Sequence, residues 1–132
     1  MKVLAIRQPW ASLIAEGYKT IEVRTQNTRI REEILIYASR TNPKECDLET
    51  AKKYISCVSL PKGVLLATAR LADSIILKDE DFQNYFEKHK LSNQTNKFGH
   101  YGWILEDVKK IEPLPFKMPR GAVIWSKIET GN

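Results

Sequence analysis

The stretch QPWASLIAEGYKTIEVR, residues 8–24, decides the fold because a helix start, a helix stop and a strand follow one another within it. Pro9 suits the first turn of a helix, where the N–H that proline lacks would have no partner. An apolar helical face follows at the spacing i, i+3 and i+4, formed by Trp10, Leu13 and Ile14. Gly17 suits the left-handed conformation that ends many helices. We therefore predict a short helix near residues 9–16.

The second half of this stretch places charge beside the core. Alternation along a strand at residues 19–24 would put Ile21 and Val23 on one side and Glu22 and Arg24 on the other. Lys19 stands at the hinge between helix and strand. Charged groups held beside a core are costly unless they are paired or used, so this segment is a candidate site.

Length and composition indicate one soluble globular domain over residues 1–132. The chain is 42% hydrophobic and 28% charged, which is typical of a folded domain and not of disorder. No apolar run reaches the ~18–20 residues that span a bilayer, and the N-terminus lacks a signal-peptide pattern. We therefore expect a cytoplasmic protein with no membrane partner. Cys46 and Cys57, if both lay on one helix, would be about 16 Å apart, too far for a disulfide.

The net charge of +5 is unevenly distributed along the chain. Residues 1–31 carry +4, residues 32–108 carry −2 and residues 109–132 carry +3. If the two ends of the chain lie side by side, they form a basic face that suits nucleic acid. A solvated surface with a modest excess of lysine explains the same charge equally well.

The remaining elements suggest a small mixed barrel. We predict strands at residues 2–7, 19–24, 33–39, 63–77, 101–108, 111–115 and 122–129. We predict further helices at residues 43–56 and 78–90, and a polar loop at 91–98. About six short strands with two to three peripheral helices indicate an α+β fold built on a small β-barrel.

Placed on such a barrel, the opening stretch resembles the ASCH domain, the activating-signal-cointegrator homology family, whose members have a PUA-like β-barrel. The matching positions are QPWA at residues 8–11, Leu13, Ile14, and the pattern Gly17-x-Lys19-x-Ile21-Glu22-x-Arg24. Later stretches also resemble the family: TRIR at 28–31, LIYAS at 35–39, FGHYGWILEDV at 98–108 and IEPLP at 111–115. The sequence departs from the family pattern at Glu32, at Tyr37 and in the turn MPRG at 118–121.

The resemblance implies RNA or a nucleotide-like ligand, bound in a cleft beside the motif helix. The floor of that cleft would be Lys19, Glu22 and Arg24, and its walls would be Gln8, Trp10 and Ser12 on one side and Arg29 and Arg31 on the other. Arg7 and Arg120 are further candidates for phosphate contacts. Trp10 alternatively belongs to the core, and Glu22 and Arg24 alternatively form a structural pair.

Two alternatives follow from the same resemblance. One subfamily is similar to small amidohydrolases that act on acetylated cytidine nucleosides with a lysine, a threonine and a glutamate. Lys19 matches that lysine, but Glu22 stands at the threonine position, so an enzyme acting on such a nucleoside or on RNA would use Lys19 and Glu22 as its acid–base pair. The other alternative is a protein-interaction adaptor with unknown partners.

No cofactor or metal is expected. The two histidines, His89 and His100, have no zinc-site spacing with Cys46 and Cys57. A binding function without catalysis is the preferred hypothesis.

Overall fold

The fold is a curled sheet with short helices packed on it, in a computed structural model that describes residues 1–91, 100–119 and 125–127. Within those residues the sheet has six strands: β1 Lys2–Ile6, β2 Ile21–Arg24, β3 Glu33–Ala38, β4 Val64–Ile76, β5 Tyr101–Pro115 and β6 Trp125–Lys127. Their order across the sheet is β2-β5-β4-β3-β1-β6. The predicted α+β class and the predicted number of strands are confirmed.

Two long strands bend this sheet into a half-barrel. β4 and β5 are antiparallel and pair from Val64 opposite Pro115 to Ile76 opposite Tyr101, with three shifts of register. Such irregularities bend a strand and increase its local twist. β1 pairs in parallel with β3, so the chain must cross over between them, and it does so through the helix and strand of the opening stretch.

The helix of that stretch, α1, packs into the main hydrophobic core. It comprises Trp10–Ala15, and all six of its residues are buried. They share one cluster with strand residues such as Leu4 and Leu71. The helix begins after Pro9, which follows a cis peptide bond, and the chain turns at Gly17 with φ +86°. The left-handed conformation predicted for this glycine is confirmed.

The other helices are shorter than predicted. They are α2 Glu45–Ala51, α3 Asp79–Asn84 and α4 Phe86–His89. The helix predicted at residues 78–90 is divided because Tyr85 leaves helical geometry, with φ −103° and ψ 18°. Cys57 lies beyond the end of α2, so the two cysteines do not share a helix. Both are free thiols.

The C-terminal part of the chain differs from the prediction in one further respect. The two strands predicted at residues 101–108 and 111–115 are one continuous strand, β5. Its middle keeps pairing with β4 through Lys109 and Lys110, which are exposed. The predicted loop at 91–98 lies almost entirely outside the described residues. So do Arg120 and the ends of the strand predicted at 122–129.

Candidate functional site

An open cleft of about 400 Å3 lies between α1, β2 and the segment that joins β3 to α2. Trp10, Glu22 and Arg24, three of the predicted site residues, line it together. The other charged side chains of its lining are those of Arg7, Lys44 and Asp47. The lining therefore carries three cations and two carboxylates, a small excess of positive charge, and its wall includes the aromatic side chain of Trp10.

Arg24 is the most firmly held cation of the cleft. Its Nε atom donates a hydrogen bond of 3.0 Å to Oε2 of Glu22, and its Nη2 atom donates one of 2.8 Å to the carbonyl oxygen of Ala5. The guanidinium carbon lies 5.7 Å from the ring centroid of Trp103, which in turn stacks on Trp125. Among the described residues, Nη1 of Arg24 has no hydrogen-bond acceptor, so two N–H groups of a fixed guanidinium are available to a ligand.

Glu22 lies between two cations and is largely buried. Its Oε1 atom is 3.6 Å from Nζ of Lys19, and its Oε2 atom is 3.0 Å from Arg24. A buried carboxylate is stable only when it is paired, and here two cations compensate one anion. The group of three keeps one net positive charge beside the cleft.

Lys19 lies under the cleft and does not line it. Only 1% of its surface is exposed, and its Nζ atom donates a hydrogen bond of 2.7 Å to the carbonyl oxygen of His89. The same atom lies 5.2 Å from the ring centroid of Trp10. Burial lowers the pKa of Lys19 from 10.5 to about 8, although Glu22 opposes this shift.

His89 completes the support of Lys19, and the sequence did not indicate this role. Its Nε2 atom lies 2.8 Å from the carbonyl oxygen of Phe82, and its Nδ1 atom accepts a hydrogen bond from the N–H of Leu91. Because the carbonyl of Phe82 only accepts and the N–H of Leu91 only donates, the hydrogen is on Nε2, Nδ1 carries none and the imidazole is neutral. Burial lowers the pKa of His89, which favours this neutral form. The contact with Lys19 uses the backbone of His89, so the residue type gave no signal.

Gln8 and Ser12 are held inside the protein instead of facing the cleft. Nε2 of Gln8 donates to Oγ of Ser12 and to the carbonyl oxygen of Pro61, both at 2.8 Å. Oε1 of Gln8 accepts a hydrogen bond of 3.0 Å from the N–H of Ser12. Gln8 is fully buried. Both residues therefore fix the first turn of α1 to the loop before β4.

Arg29 and Arg31 are exposed and lie outside the cleft lining. Nη1 of Arg31 donates to the carbonyl oxygens of Thr28 and Ile30, each at 2.8 Å, and Nη2 lies 3.4 Å from Asp73. Arg31 is thus bound to its own loop.

The cleft also contains three charged residues outside the predicted binding site: Arg7, Lys44 and Asp47. Of these, the sequence indicates only Arg7, as a candidate for phosphate contacts. Lys44 directly precedes α2, and Asp47 lies in its first turn. A charged residue at the start of a surface helix is normally solvated, so only the tertiary structure, which brings Lys44 and Asp47 into the lining of the cleft, could reveal them.

A larger cavity of about 520 Å3 shares no lining residue with the cleft. Ser12, Tyr18 and Tyr54 line it, and the ion pair of Lys110 with Glu16 lies at its wall. In the described part of the chain, no three His, Cys, Asp or Glu side chains are grouped so that they could hold a metal. Over the same residues, every helix is too short or too polar to cross a membrane.

Comparison with known proteins gives matches in family and in fold. The family model described as the ASCH domain matches residues 4–115. The crystal structure of ASCH from Zymomonas mobilis has a TM-score of 0.67 at 18% identity, covering 98% of this chain and 87% of that one. A tyrosine-to-phenylalanine mutant of the Zymomonas mobilis protein has a TM-score of 0.66 at 17% identity, covering 98% and 90%. No curated protein sequence matches this chain significantly.

These similarities bear on the fold, because sequence identities below one fifth carry no functional detail. They confirm the predicted PUA-like fold for the six-stranded half-barrel.

Proposed function

The chain belongs to the ASCH domain family, and on that premise we propose that it binds RNA in the cleft beside α1. RNA binding is the function that the family resemblance implies. The excess of positive charge in the lining supports it, because phosphate groups are the anions that a nucleic acid presents along its whole length.

The observation that carries the proposal is the fixed guanidinium of Arg24. Three groups hold it: the carboxylate of Glu22, the carbonyl oxygen of Ala5 and the ring of Trp103. A guanidinium that is already ordered loses little side-chain entropy when it binds a phosphate, and its N–H groups match phosphate oxygens. Arg7 and Lys44 add positive charge to the same cleft.

The predicted site residues take different roles in this proposal. Trp10, Glu22 and Arg24 contact the ligand. Lys19 acts as a positioning residue, because its ammonium holds Glu22 from the side of the core. Gln8 and Ser12 fix the position of α1 and do not contact the ligand. Arg29 and Arg31 lie outside the cleft, so they contact only an RNA strand that is long enough to extend beyond it.

The test is binding of a fluorescent single-stranded RNA octanucleotide of mixed sequence, followed by anisotropy at low salt. Lys44→Ala and Arg24→Ala should each weaken binding by about tenfold, which is about 1.4 kcal/mol. Lys44 is exposed, so its substitution leaves the fold intact. The affinity of Arg24→Ala is interpreted only if circular dichroism shows that this variant is folded.

Matched controls are Lys53→Ala for Lys44 and Arg70→Ala for Arg24. Lys53 and Arg70 are exposed and do not line the cleft. The controls should bind the octanucleotide as the wild type does. Absence of RNA binding at low salt, or equal losses in site and control variants, would overturn the proposal.

The hydrolase is the second candidate, and the lowered pKa of Lys19 favours it. Lys19 does not line the cleft, so its ammonium, with a pKa of about 8, would act on a substrate through its contact with Glu22, which does line it. In the reaction, water would add to the acetyl carbonyl of an acetylated cytidine and the C–N bond would break. Acetate and cytidine would leave, with the amine taking up a proton.

This activity is tested by incubation with acetylated cytidine and chromatographic detection of cytidine. Product that disappears with both Lys19→Ala and Glu22→Gln supports the hydrolase. If the wild type forms no cytidine, hydrolysis of this nucleoside is excluded. The adaptor alternative has no comparable observation, since the large exposed hydrophobic residues in the described part of the chain lie on separate segments: Tyr18, Val58, Ile76 and Leu114.

A further inference from the structure

A second cavity continues the cleft along the end of β3. It has a volume of about 320 Å3 and shares Ala5, Ser39 and Thr41 with the first cavity. The two cavities therefore adjoin at these residues, and we call the pair the groove and each cavity a compartment of it. The first compartment is the cleft of Trp10 and Arg24, and the second is lined further by Tyr37, Arg40, Lys117 and Met118.

Cationic side chains outnumber carboxylates in both compartments among the described residues. The second compartment contributes Arg40 and Lys117, both exposed, and none of the described residues that line it is acidic. Between the compartments lie Ser39 and Thr41, whose hydroxyl groups are hydrogen-bond donors to phosphate oxygens. A linear polyanion fits this distribution better than a single small anion does.

The second compartment also has an apolar wall held in place by packing. Tyr37 is only 3% exposed, and its ring packs edge-to-face on Phe116 with centroids 5.7 Å apart. Met118 is half-buried against the same cluster. A rigid aromatic side chain with a polarizable thioether beside it is a suitable wall for a planar base.

Gly63 lies against Arg40, one of the residues that line this compartment. Its N–H donates to the carbonyl oxygen of Ala38 at 2.7 Å, and its carbonyl oxygen accepts from the N–H of Phe116 at 3.1 Å. Gly63 thus joins the ends of β3 and β5. The guanidinium of Arg40 lies directly over it, since a Cβ atom added to Gly63 would be 2.9 Å from Cζ of Arg40.

From these observations, and resting on the proposed RNA-binding function, we infer that the groove binds at least two consecutive nucleotides of a single strand. One base occupies each compartment, and the phosphate between them lies near Ser39 and Thr41. Double-stranded RNA does not fit, because its bases are stacked and paired inside the duplex and cannot enter two compartments.

The test is competition against the labelled RNA octanucleotide by random-sequence RNA pools of one, two, four and eight nucleotides. We expect the tetranucleotide pool to compete at least about tenfold better than the mononucleotides, because the second compartment adds contacts without a second loss of translational freedom. A hairpin duplex of equal length should compete more weakly than the octanucleotide pool.

Two variants test the contribution of the second compartment to binding. Arg40→Ala and Lys117→Ala should weaken tetranucleotide competition by about fivefold and mononucleotide competition by less, because a mononucleotide can still bind in the first compartment. Both side chains are exposed, so the fold is not at risk. Arg70→Ala and Lys109→Ala are the matched controls, because both residues are exposed and outside the groove.

The possible failures are distinguishable. Mononucleotides that compete as well as tetranucleotides, a duplex that competes equally, or second-compartment variants without effect would each overturn the inference. The proposed function would survive these results as long as Lys44→Ala still weakens octanucleotide binding. If no RNA of any length binds, the proposed function itself fails.

Discussion

The ammonium nitrogen of Lys19 lies 2.7 Å from the carbonyl oxygen of His89, a residue 70 positions further along the chain. Next to it, the N–H of Thr20 donates to the carbonyl oxygen of Lys88 at 2.9 Å. The last turn of α4 thus holds the hinge between α1 and β2. Carbonyl oxygens at the C-terminal end of a helix lack partners within the helix, so a donor there is stabilising.

Loss of the Lys19 ammonium should destabilise the fold. Lys19→Met removes the hydrogen-bond donor of the His89 carbonyl oxygen. It also leaves Arg24 as the only described cation paired with Glu22. We expect the free energy of unfolding to fall by about 2–3 kcal/mol in urea denaturation. Lys2→Met removes an exposed pair with Glu32 and should change it by less than about 1 kcal/mol. Equal effects of the two substitutions would contradict the buried role.

The contribution of Lys19 to stability should depend on pH. Because burial lowers its pKa from 10.5 to about 8 in the folded state, the unfolded state binds more protons between these values. Its contribution is therefore lowest and constant below about pH 8, and it rises with pH up to about 10.5. The difference in unfolding free energy between wild type and Lys19→Met should grow by about 1–3 kcal/mol across this window. The corresponding difference for Lys2→Met should not grow, and a flat or falling curve for Lys19 would refute the assignment.

Gln8 should matter for folding and not for the ligand. Gln8→Ala removes three hydrogen bonds of a fully buried amide and should lower the free energy of unfolding by about 2 kcal/mol. The exposed Gln83→Ala on α3 is the control and should be close to neutral. Thermal unfolding measures the stability. Anisotropy measures RNA affinity well below the melting temperature, where a clear loss of affinity would show that Gln8 contacts the ligand.

Two glycines with positive φ offer a matched comparison. Gly17 and Gly63 have φ of +86° and +72°, so an alanine at either should cost about 1 kcal/mol of stability. At Gly63 the added Cβ also meets the guanidinium of Arg40, whereas at Gly17 it meets nothing within 4 Å. Gly63→Ala should therefore weaken tetranucleotide binding severalfold, and Gly17→Ala should not. Competition with the labelled octanucleotide compares the two variants directly, and equal affinities would disprove the placement of Arg40 in the groove.

Salt dependence should report the phosphate contacts of the groove. The logarithm of the octanucleotide association constant should fall linearly with the logarithm of salt concentration, by about 0.7 per phosphate contacted. Lys44→Ala should reduce this slope by about 0.7, because it removes one cation from the cleft. The Lys53→Ala control should keep the wild-type slope. A titration at several salt concentrations that shows no slope would mean that phosphates do not drive binding.

Local features of the fold were predictable because they depend on neighbours in sequence. The spacing of Trp10, Leu13 and Ile14 identified α1, and Gly17 identified its end. The helix at 78–90 was predicted as one piece because Phe82, Tyr85 and Phe86 keep helical spacing. In the structure this helix breaks at Tyr85, and the end of α4 accepts hydrogen bonds from Lys19 and Thr20, which are distant in sequence. The strand β5 was predicted as two because exposed Lys109 and Lys110 interrupt its apolar pattern, while their backbones still pair with β4.

In the site, too, contacts between residues close in sequence were predictable, and contacts between distant segments were not. The sequence placed Glu22 and Arg24 on one strand face two residues apart, and their ion pair follows from that spacing. It could not show that Gln8 bonds to Pro61 or that Arg40 lies over Gly63, because these contacts join segments far apart in the chain.

The sequence by itself thus indicated the family, the fold class and the helix–strand unit that carries the charged motif. Periodicity and turn residues encode these features locally. Only the tertiary structure decided that Lys19 is buried against His89 and that Arg24, Lys44, Arg40 and Lys117 lie along one groove. The register of β3, β4 and β5 and the packing of α2 and α4 set these distances, and no short stretch of sequence contains that information.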